Sequence, residues 1–211
     1  MRTEDLIDRL ALDPPPRFGF GTAFMAATLL SILVAGGIFL AVIGNRPDIG
    51  RAAESASFLF KFVATMPLAL GALGVALRLS RPGMAAGGWR LVLGAVPVLL
   101  AAAVALELHQ VPASLWQSRL VGSNAGFCLI LIPLMAIGPL ALLIAAMRRG
   151  APERPVLAGG FAGLAAGGIA ATFYALHCPD DSPLFVAAWY SAAILVMGVA
   201  GCLAGRRFLR W

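Results

Sequence analysis

The sequence predicts an all-α, polytopic membrane protein with six transmembrane helices and both termini in the cytoplasm. Three observations carry that prediction. The first is composition: 60% of the 211 residues are hydrophobic and only 12% charged, with a mean hydropathy of +0.89. An ordinary soluble domain carries about 25% charge. The second is patterning, because the apolar residues fall in long runs with no polar helical face, unlike the stripe of a soluble helix. A membrane barrel would need alternating strands of about ten residues, and no such alternation occurs. The third is the distribution of basic residues, taken up once the elements are placed.

Residues 1–17 form a cytoplasmic N-terminal tail and residues 18–211 the six-helix membrane domain. The tail is expected not to be a signal peptide, since acids precede the first apolar run and no small-residue cleavage site follows it. Thr3 is placed to cap a helix whose first turn holds Glu4 and Asp5, where the helix dipole favours negative charge. Leu6, Ile7 and Leu10 share one side of it, and Pro14, Pro15 and Pro16 end it. Such a helix lies on lipid or binds a partner.

Apolar runs follow at 20–43, 58–79, 90–108, 125–147, 155–176 and 185–205. Each reaches or approaches the ~20 residues that cross the hydrocarbon. With the N-terminus inside, Arg2, Arg9, Arg17, Arg78, Arg81, Arg90, Arg148, Arg149, Arg154, Arg206, Arg207 and Arg210 are cytoplasmic. Only Arg46, Arg51, Arg119 and Lys61 fall on or near the outer side. Basic residues concentrate in cytoplasmic loops, so this orientation is the expected one, and it explains the +6 net charge without invoking nucleic acid. Gly159, Gly163 and Gly167 in the fifth run, and Gly201 and Gly205 in the sixth, recur every four residues. That spacing predicts close helix packing within the chain. Pro67, Pro97, Pro133 and Pro139 are expected to kink their helices.

The outer side then collects the reactive side chains. Glu107 and His109 end the third run, Cys128 starts the fourth, and His177, Cys178, Asp180 and Asp181 follow the fifth. In a bacterial envelope that side is oxidising, so Cys128 and Cys178 have a disulfide and a dithiol open to them. A dithiol flanked by His177, His109, Glu107, Asp180 and Asp181 as accessory ligands would suit a soft divalent metal. A static disulfide or two inert thiols fit the spacing equally well. Cys202, near the inner end of the last run, is expected to be buried as a small apolar residue. Lys61 is the one charge clearly inside a run, which makes it a functional candidate. Its long stem is nevertheless expected to reach the near interface. The sequence contains no C-x-x-C, no H-E-x-x-H, no phosphate-binding loop and no nucleophile elbow, so no enzymatic activity is expected. A membrane thiol oxidoreductase would want closely paired cysteines and a second, shuttling pair. A small transporter would want polar residues at mid-membrane depth, and the runs hold almost none.

A set of short motifs adds a resemblance. Gly122-Ser123-Asn124-Ala125 with Cys128-Leu129 and Ile132-Pro133 is followed by Arg148-Arg149-Gly150-Ala151-Pro152 with Arg154-Pro155. Then come the Ala-Gly pairs at 158, 162 and 166, Tyr174-Ala175-Leu176-His177-Cys178 with Asp181, Pro183 and Phe185, and Trp189-Tyr190. Arg206 with Leu209-Arg210-Trp211 closes the set. Together they resemble the NrsF family of negative regulators of sigma-F, densely over about residues 115–211. Before that, Thr3, Asp5-Leu6-Ile7, Lys61 and Arg81-Pro82-Gly83 also fit. The resemblance implies a multi-pass anti-sigma factor of the bacterial inner membrane that holds an extracytoplasmic-function sigma factor of the sigma-F type. Metal or oxidative stress would release it. It implies that the family's paired periplasmic cysteines are Cys128 and Cys178, and no role for Cys202. The expected sigma-factor contacts are Glu4, Asp5, Leu6 and Ile7 in the tail with Arg81, Arg148, Arg149 and Arg154 in the inner loops. No resident cofactor is expected, only a transient divalent metal at the cysteine pair. The other partner is membrane lipid, with no direct contact to nucleic acid.

Overall fold

The computed structural model describes residues 19–210, besides Thr3. The tail readings, including the contacts expected of Glu4, Asp5, Leu6 and Ile7, lie outside the described residues. Among the described residues all regular structure is helical. Six helices are long and apolar enough to cross a membrane: α1 (Phe20–Ile43), α2 (Ala56–Leu79), α3 (Trp89–Gln110), α4 (Ala125–Met147), α5 (Pro155–Tyr174) and α6 (Pro183–Phe208).

Their ends depart from the hydropathy runs by a few residues, for local reasons. α2 begins earlier than its apolar run because the Ser55 hydroxyl accepts from Phe58 N at 3.1 Å and caps the first turn. α6 also begins earlier, at Pro183, where the missing N–H is one of the unsatisfied donors of a helix start anyway. α5 ends at Tyr174, where the chain tightens into turns from Leu176 N to Phe173 O (3.0 Å) and from His177 N to Tyr174 O (3.0 Å). Those turns release Cys178 from the helix. Pro67, Pro97, Pro133 and Pro139 all lie inside continuous helices. Ahead of α4 the chain forms two short helical pieces, Ala113–Leu115 and Trp116–Val121, that the hydropathy pattern does not reveal.

α5 occupies the centre. It packs most extensively against α6, then α2 and α4, and also meets α1, while α3 lies at the edge against α2. The reason is the width of its side chains. From Ala158 to Ala171 only Phe161, Leu164 and Ile169 are larger than alanine, and most of the stretch is fully buried. A Cβ added at Gly159 would stand 2.7 Å from Gly205 Cα, and one at Gly201 2.9 Å from Gly163 Cα. Backbone therefore meets backbone along the α5–α6 seam. In lipid, where burial brings no hydrophobic gain between helices, this close approach is the source of attraction. Thr172 adds a polar tie, its hydroxyl bonding that of Thr65 on α2 at 3.0 Å.

The two ends of the bundle differ. At one end Ala151 N donates to Ser80 O (3.0 Å), Gly83 N donates to Glu153 Oε1 (2.8 Å), and Arg81 lies over the Phe20 ring at 5.8 Å. The α2–α3 and α4–α5 loops are thus one arginine-rich surface. Both cysteines of the outer group are at the opposite end.

Candidate functional site: a buried cysteine pair beneath an ion-paired loop

The loop 175–182 between α5 and α6 is held from four directions. Asp181 bonds Lys61 Nζ at 2.5 Å and Arg46 Nη1 at 2.9 Å. Lys61 Nζ also donates to the Cys178 carbonyl at 2.6 Å, and Arg46 N to the Leu176 carbonyl at 3.1 Å. The expected snorkelling of Lys61 is therefore corrected. Its side chain is 0% exposed, and its stem is used to reach the loop carboxylate rather than lipid headgroups. A buried ammonium needs such a partner, because desolvation without one would be prohibitive. Arg46 is held in turn by Asp48 at 2.7 Å, which pulls the exposed Asp48 carboxyl down to about 2 and raises Arg46 further.

The remaining acids of the group act as caps supplied from other elements. Asp180 accepts from Ser123 N (3.1 Å) and Asn124 N (2.9 Å), filling the helix start of α4 with negative charge. Gly122, at φ +57° with its missing Cβ 2.8 Å from Asp180 Cγ, makes room for that contact. Glu107 does the same for α6, accepting from Leu184 N at 2.9 Å and from the Ser182 hydroxyl at 2.8 Å, with Arg119 on its other side at 3.0 Å. His177 Nδ1 lies 3.0 Å from Gly44 O, and His109 is exposed at the end of α3. Among the described residues no three His, Cys, Asp or Glu side chains converge as a metal site requires. Any metal here would rely chiefly on the sulfurs. Asp180→Ala is expected to cost about 1–2 kcal/mol, the loss of a helix-start cap, in reversible unfolding of the detergent-solubilised chain.

Beneath this lid are the sulfurs. Cys128, on the first turn of α4, and Cys178 are both fully buried free thiols that influence each other electrostatically. The cap by Asp180 is what brings them together, since it fixes the loop after Cys178 onto the start of the helix that carries Cys128. The Cys178 thiol is lowered from the ordinary thiol range, first by the Cys128 thiol and then by the Lys61 ammonium, against the opposing effect of burial. Its surroundings thus favour the thiolate, the form that attacks oxidants and binds soft metals. Tyr174 and Tyr190 close the pocket, their rings 6.0 Å apart.

Cys202 departs from expectation: it is only half-buried, against Gly160 on α5, and far along α6 from the pair. Arg46, Ser123, Ser182 and the two tyrosines belong to the site, although the sequence assigned them no role in it. Two signals were available: Ser123, Tyr174 and Tyr190 fall within the motifs that carry the resemblance, and Tyr174 and Tyr190 are the chain's only tyrosines and flank Cys178.

A family model described as "NrsF: Negative regulator of sigma F" matches residues 10–211. The chain belongs to the NrsF family. Two relatives agree over the whole length of both chains. An anti-sigma-F factor NrsF of Caulobacter vibrioides is 39% identical over 100% of each chain, and a probable anti-sigma-F factor NrsF of Azospira oryzae is 34% identical over the same share. No solved structure matches the chain. The NrsF match includes the cysteine end and the arginine end of the bundle alike, so the site described here lies wholly within the family's span.

Proposed function

We propose that the chain is a membrane-bound anti-sigma factor, not an enzyme. In this reading it holds an extracytoplasmic-function sigma factor at the cytoplasmic face of the bacterial inner membrane and releases it when metal or oxidant acts on Cys128 and Cys178 in the periplasm. The observation that carries the reading is a pair of thiols fifty residues apart in sequence, brought together and buried at the end of the bundle away from the arginine loops. The full-length likeness to relatives named as anti-sigma-F factors supports the rest.

The chemistry is simple. Oxidation by a peroxide joins the two sulfurs, with two protons and two electrons reducing the peroxide to water. Cys128 and Cys178 would hold a thiophilic divalent metal through their sulfurs, giving up the thiol protons, and the metal would supply a link between them in place of the disulfide. Either event alters the spacing between the start of α4 and the loop beyond α5. Because α5 and α6 are in backbone contact, a displacement of that loop moves both as one body toward Arg154 and Arg206. Arg81, Arg148, Arg149 and Arg154 then shift at the sigma-binding face, for which the tail residues Glu4, Asp5, Leu6 and Ile7 supply further contacts. The acids of the tail suit the basic DNA-binding surface of a sigma factor.

The test is a reporter for the sigma regulon in cells carrying Cys128→Ser with Cys178→Ser. Induction by metal or peroxide is expected to fall to the uninduced level. Normal induction in the double variant would remove the pair from the mechanism. Deleting residues 2–12 is expected to abolish co-purification of the sigma factor.

A further inference from the structure

α3 is the least enclosed of the spans. Only Val96 and Glu107 on it are buried, and it meets α6 chiefly over Pro183–Tyr190, toward the cysteine end. Beyond that the two helices part, and α5 forms the floor of the gap. The gap holds an apolar cavity of about 300 Å³, with Leu93 and Pro97 on one wall and Ile194 and Leu195 on the other. Phe161 and Leu164 on its floor also line a second apolar hollow of about 250 Å³, which reaches Cys202. Phe161 and Leu157 in turn line a cleft of about 440 Å³ between the α2–α3 and α4–α5 loops. The three spaces therefore adjoin at Phe161. They form one groove running from the middle of the spans to the arginine-rich end.

The end of that groove differs from the rest in charge. Its cleft is lined by Arg81 just past α2, Arg90 at the start of α3 and Arg154 just before α5, all exposed. Arg81 lies over the Phe20 ring, and Arg90 Nε donates to the Gly87 carbonyl at 3.4 Å. Among the described residues none of the three guanidiniums is paired with a carboxylate. Glu153, the one acid lining the cleft, accepts from Gly83 N at 2.8 Å, so the cleft is net cationic. The arginines stand where the spans end, at headgroup depth, and the lining beyond them is apolar. A cationic pocket between membrane helices, continued by an apolar groove, fits an anionic headgroup with its acyl chain. We propose that this groove holds one anionic phospholipid, its phosphate among Arg81, Arg90 and Arg154 and an acyl chain along Phe161, Leu164 and Leu195. The guanidinium fork matches phosphate oxygens in geometry as well as charge. A zwitterionic lipid would fill the apolar part equally well but bring its own cation to the arginines. The proposal goes beyond the anti-sigma reading. Arg81 and Arg154 also belong to the face proposed for the sigma factor, so the headgroup would form part of that face.

The experiment uses the full chain in a non-ionic detergent, without a sigma factor, so that it reads lipid binding alone. Phosphatidylglycerol and phosphatidylcholine with identical acyl chains are titrated in, and bound lipid is counted by native mass spectrometry. Wild type is expected to retain a single phosphatidylglycerol, bound about tenfold or more tightly than phosphatidylcholine. Glycerol phosphate, the headgroup without its chains, is expected not to bind. Arg81→Gln, Arg90→Gln and Arg154→Gln are each expected to weaken phosphatidylglycerol about fivefold, and together to abolish its preference. Leu195 is exposed on the lipid side of the groove, so Leu195→Trp is expected to fold normally and to weaken both lipids by filling their path. Arg206→Gln with Arg207→Gln makes the same charge change at the same end of the bundle, outside the cleft, and is expected to leave binding intact. Equal binding of the two lipids by wild type would overturn the proposal. So would an equal loss in the Arg206 and Arg207 variant, which would mean diffuse surface charge. Undiminished binding in Leu195→Trp would place the chains elsewhere, and glycerol phosphate binding as tightly as lipid would mean a site for free anions; either result overturns it.

Discussion

Lys61→Met is expected to cost about 3 kcal/mol or more of folding stability, since removing one partner of a buried ion pair leaves the other charge uncompensated. The lower end of the range applies because Asp181 is 22% exposed and keeps Arg46, so solvent and a second cation absorb part of the loss. Two bonds disappear with the ammonium. The Cys178 carbonyl loses its 2.6 Å bond, and Asp181 loses its shorter partner. The loop 175–182 then rests on Arg46, the Asp180 cap, the Ser182–Glu107 bond and the His177–Gly44 contact. Combining Lys61→Met with Asp181→Leu is expected to recover most of the loss, because neither charge is then buried without a partner. Equilibrium unfolding in mixed micelles, with a double-mutant cycle over the two positions, measures both quantities. Equal stability of wild type and the lysine variant would mean that the loop is not held from α2. The single variant is also expected to alkylate faster at Cys178 at high pH, where every thiol is ionised and only access differs.

Much of the fold was legible because a membrane leaves few alternatives. Backbone groups in lipid must bond within a helix, so an apolar run of sufficient length implies a helix over about the same residues. The runs 125–147 and 20–43 coincide with α4 and α1 for that reason. The glycine spacing in α5 was equally readable, since a Cβ-free stripe has one use at a helix contact. Lys61 was not. A four-carbon stem one turn inside a helix reaches either the headgroups or a folded-back loop, and the choice depends on Asp181, 120 residues later in the chain. Asp180 and Glu107 posed the same difficulty. A carboxylate beside a cysteine reads as a ligand in sequence, whereas in the structure each fills the N-terminus of a helix from another part of the chain. The tyrosines were hidden by their aromatic character, which in a membrane protein gives no hint that the two rings meet beside the cysteines.

The seam between α5 and α6 gives the largest expected effect of any substitution at a residue outside the cysteine pocket. Gly163→Leu is expected to prevent recovery of a folded chain, and Gly163→Ala to destabilise it by about 1–3 kcal/mol. A Cβ at Gly163 would meet the Met197 carbonyl group, with its carbon at 2.8 Å and Gly198 Cα at 3.1 Å. These are backbone atoms of α6, so no side-chain rotation can relieve the contact and the helices must separate. Separation at one glycine opens the neighbouring approaches at Gly159, Gly201 and Gly205 as well, because all four lie along one seam. Gly94 on α3 is the matched control: nothing stands within 4 Å of an added Cβ. Gly94→Ala is therefore expected to stabilise the chain by roughly 0.5–1 kcal/mol through helix propensity alone. The same chemical change thus has opposite sign at the two positions, and thermal unfolding of both variants in one detergent measures it. Stability unchanged at Gly163 would mean that α5 and α6 are not in backbone contact. The rigid body that is to carry a change at Cys178 toward Arg154 would be lost with it. A destabilised but folded Gly163→Ala protein supplies the functional complement, in which Cys178 still oxidises while sigma-regulon induction is blunted. That combination would locate the defect in transmission, because the sulfur chemistry at the far end of the helix remains intact.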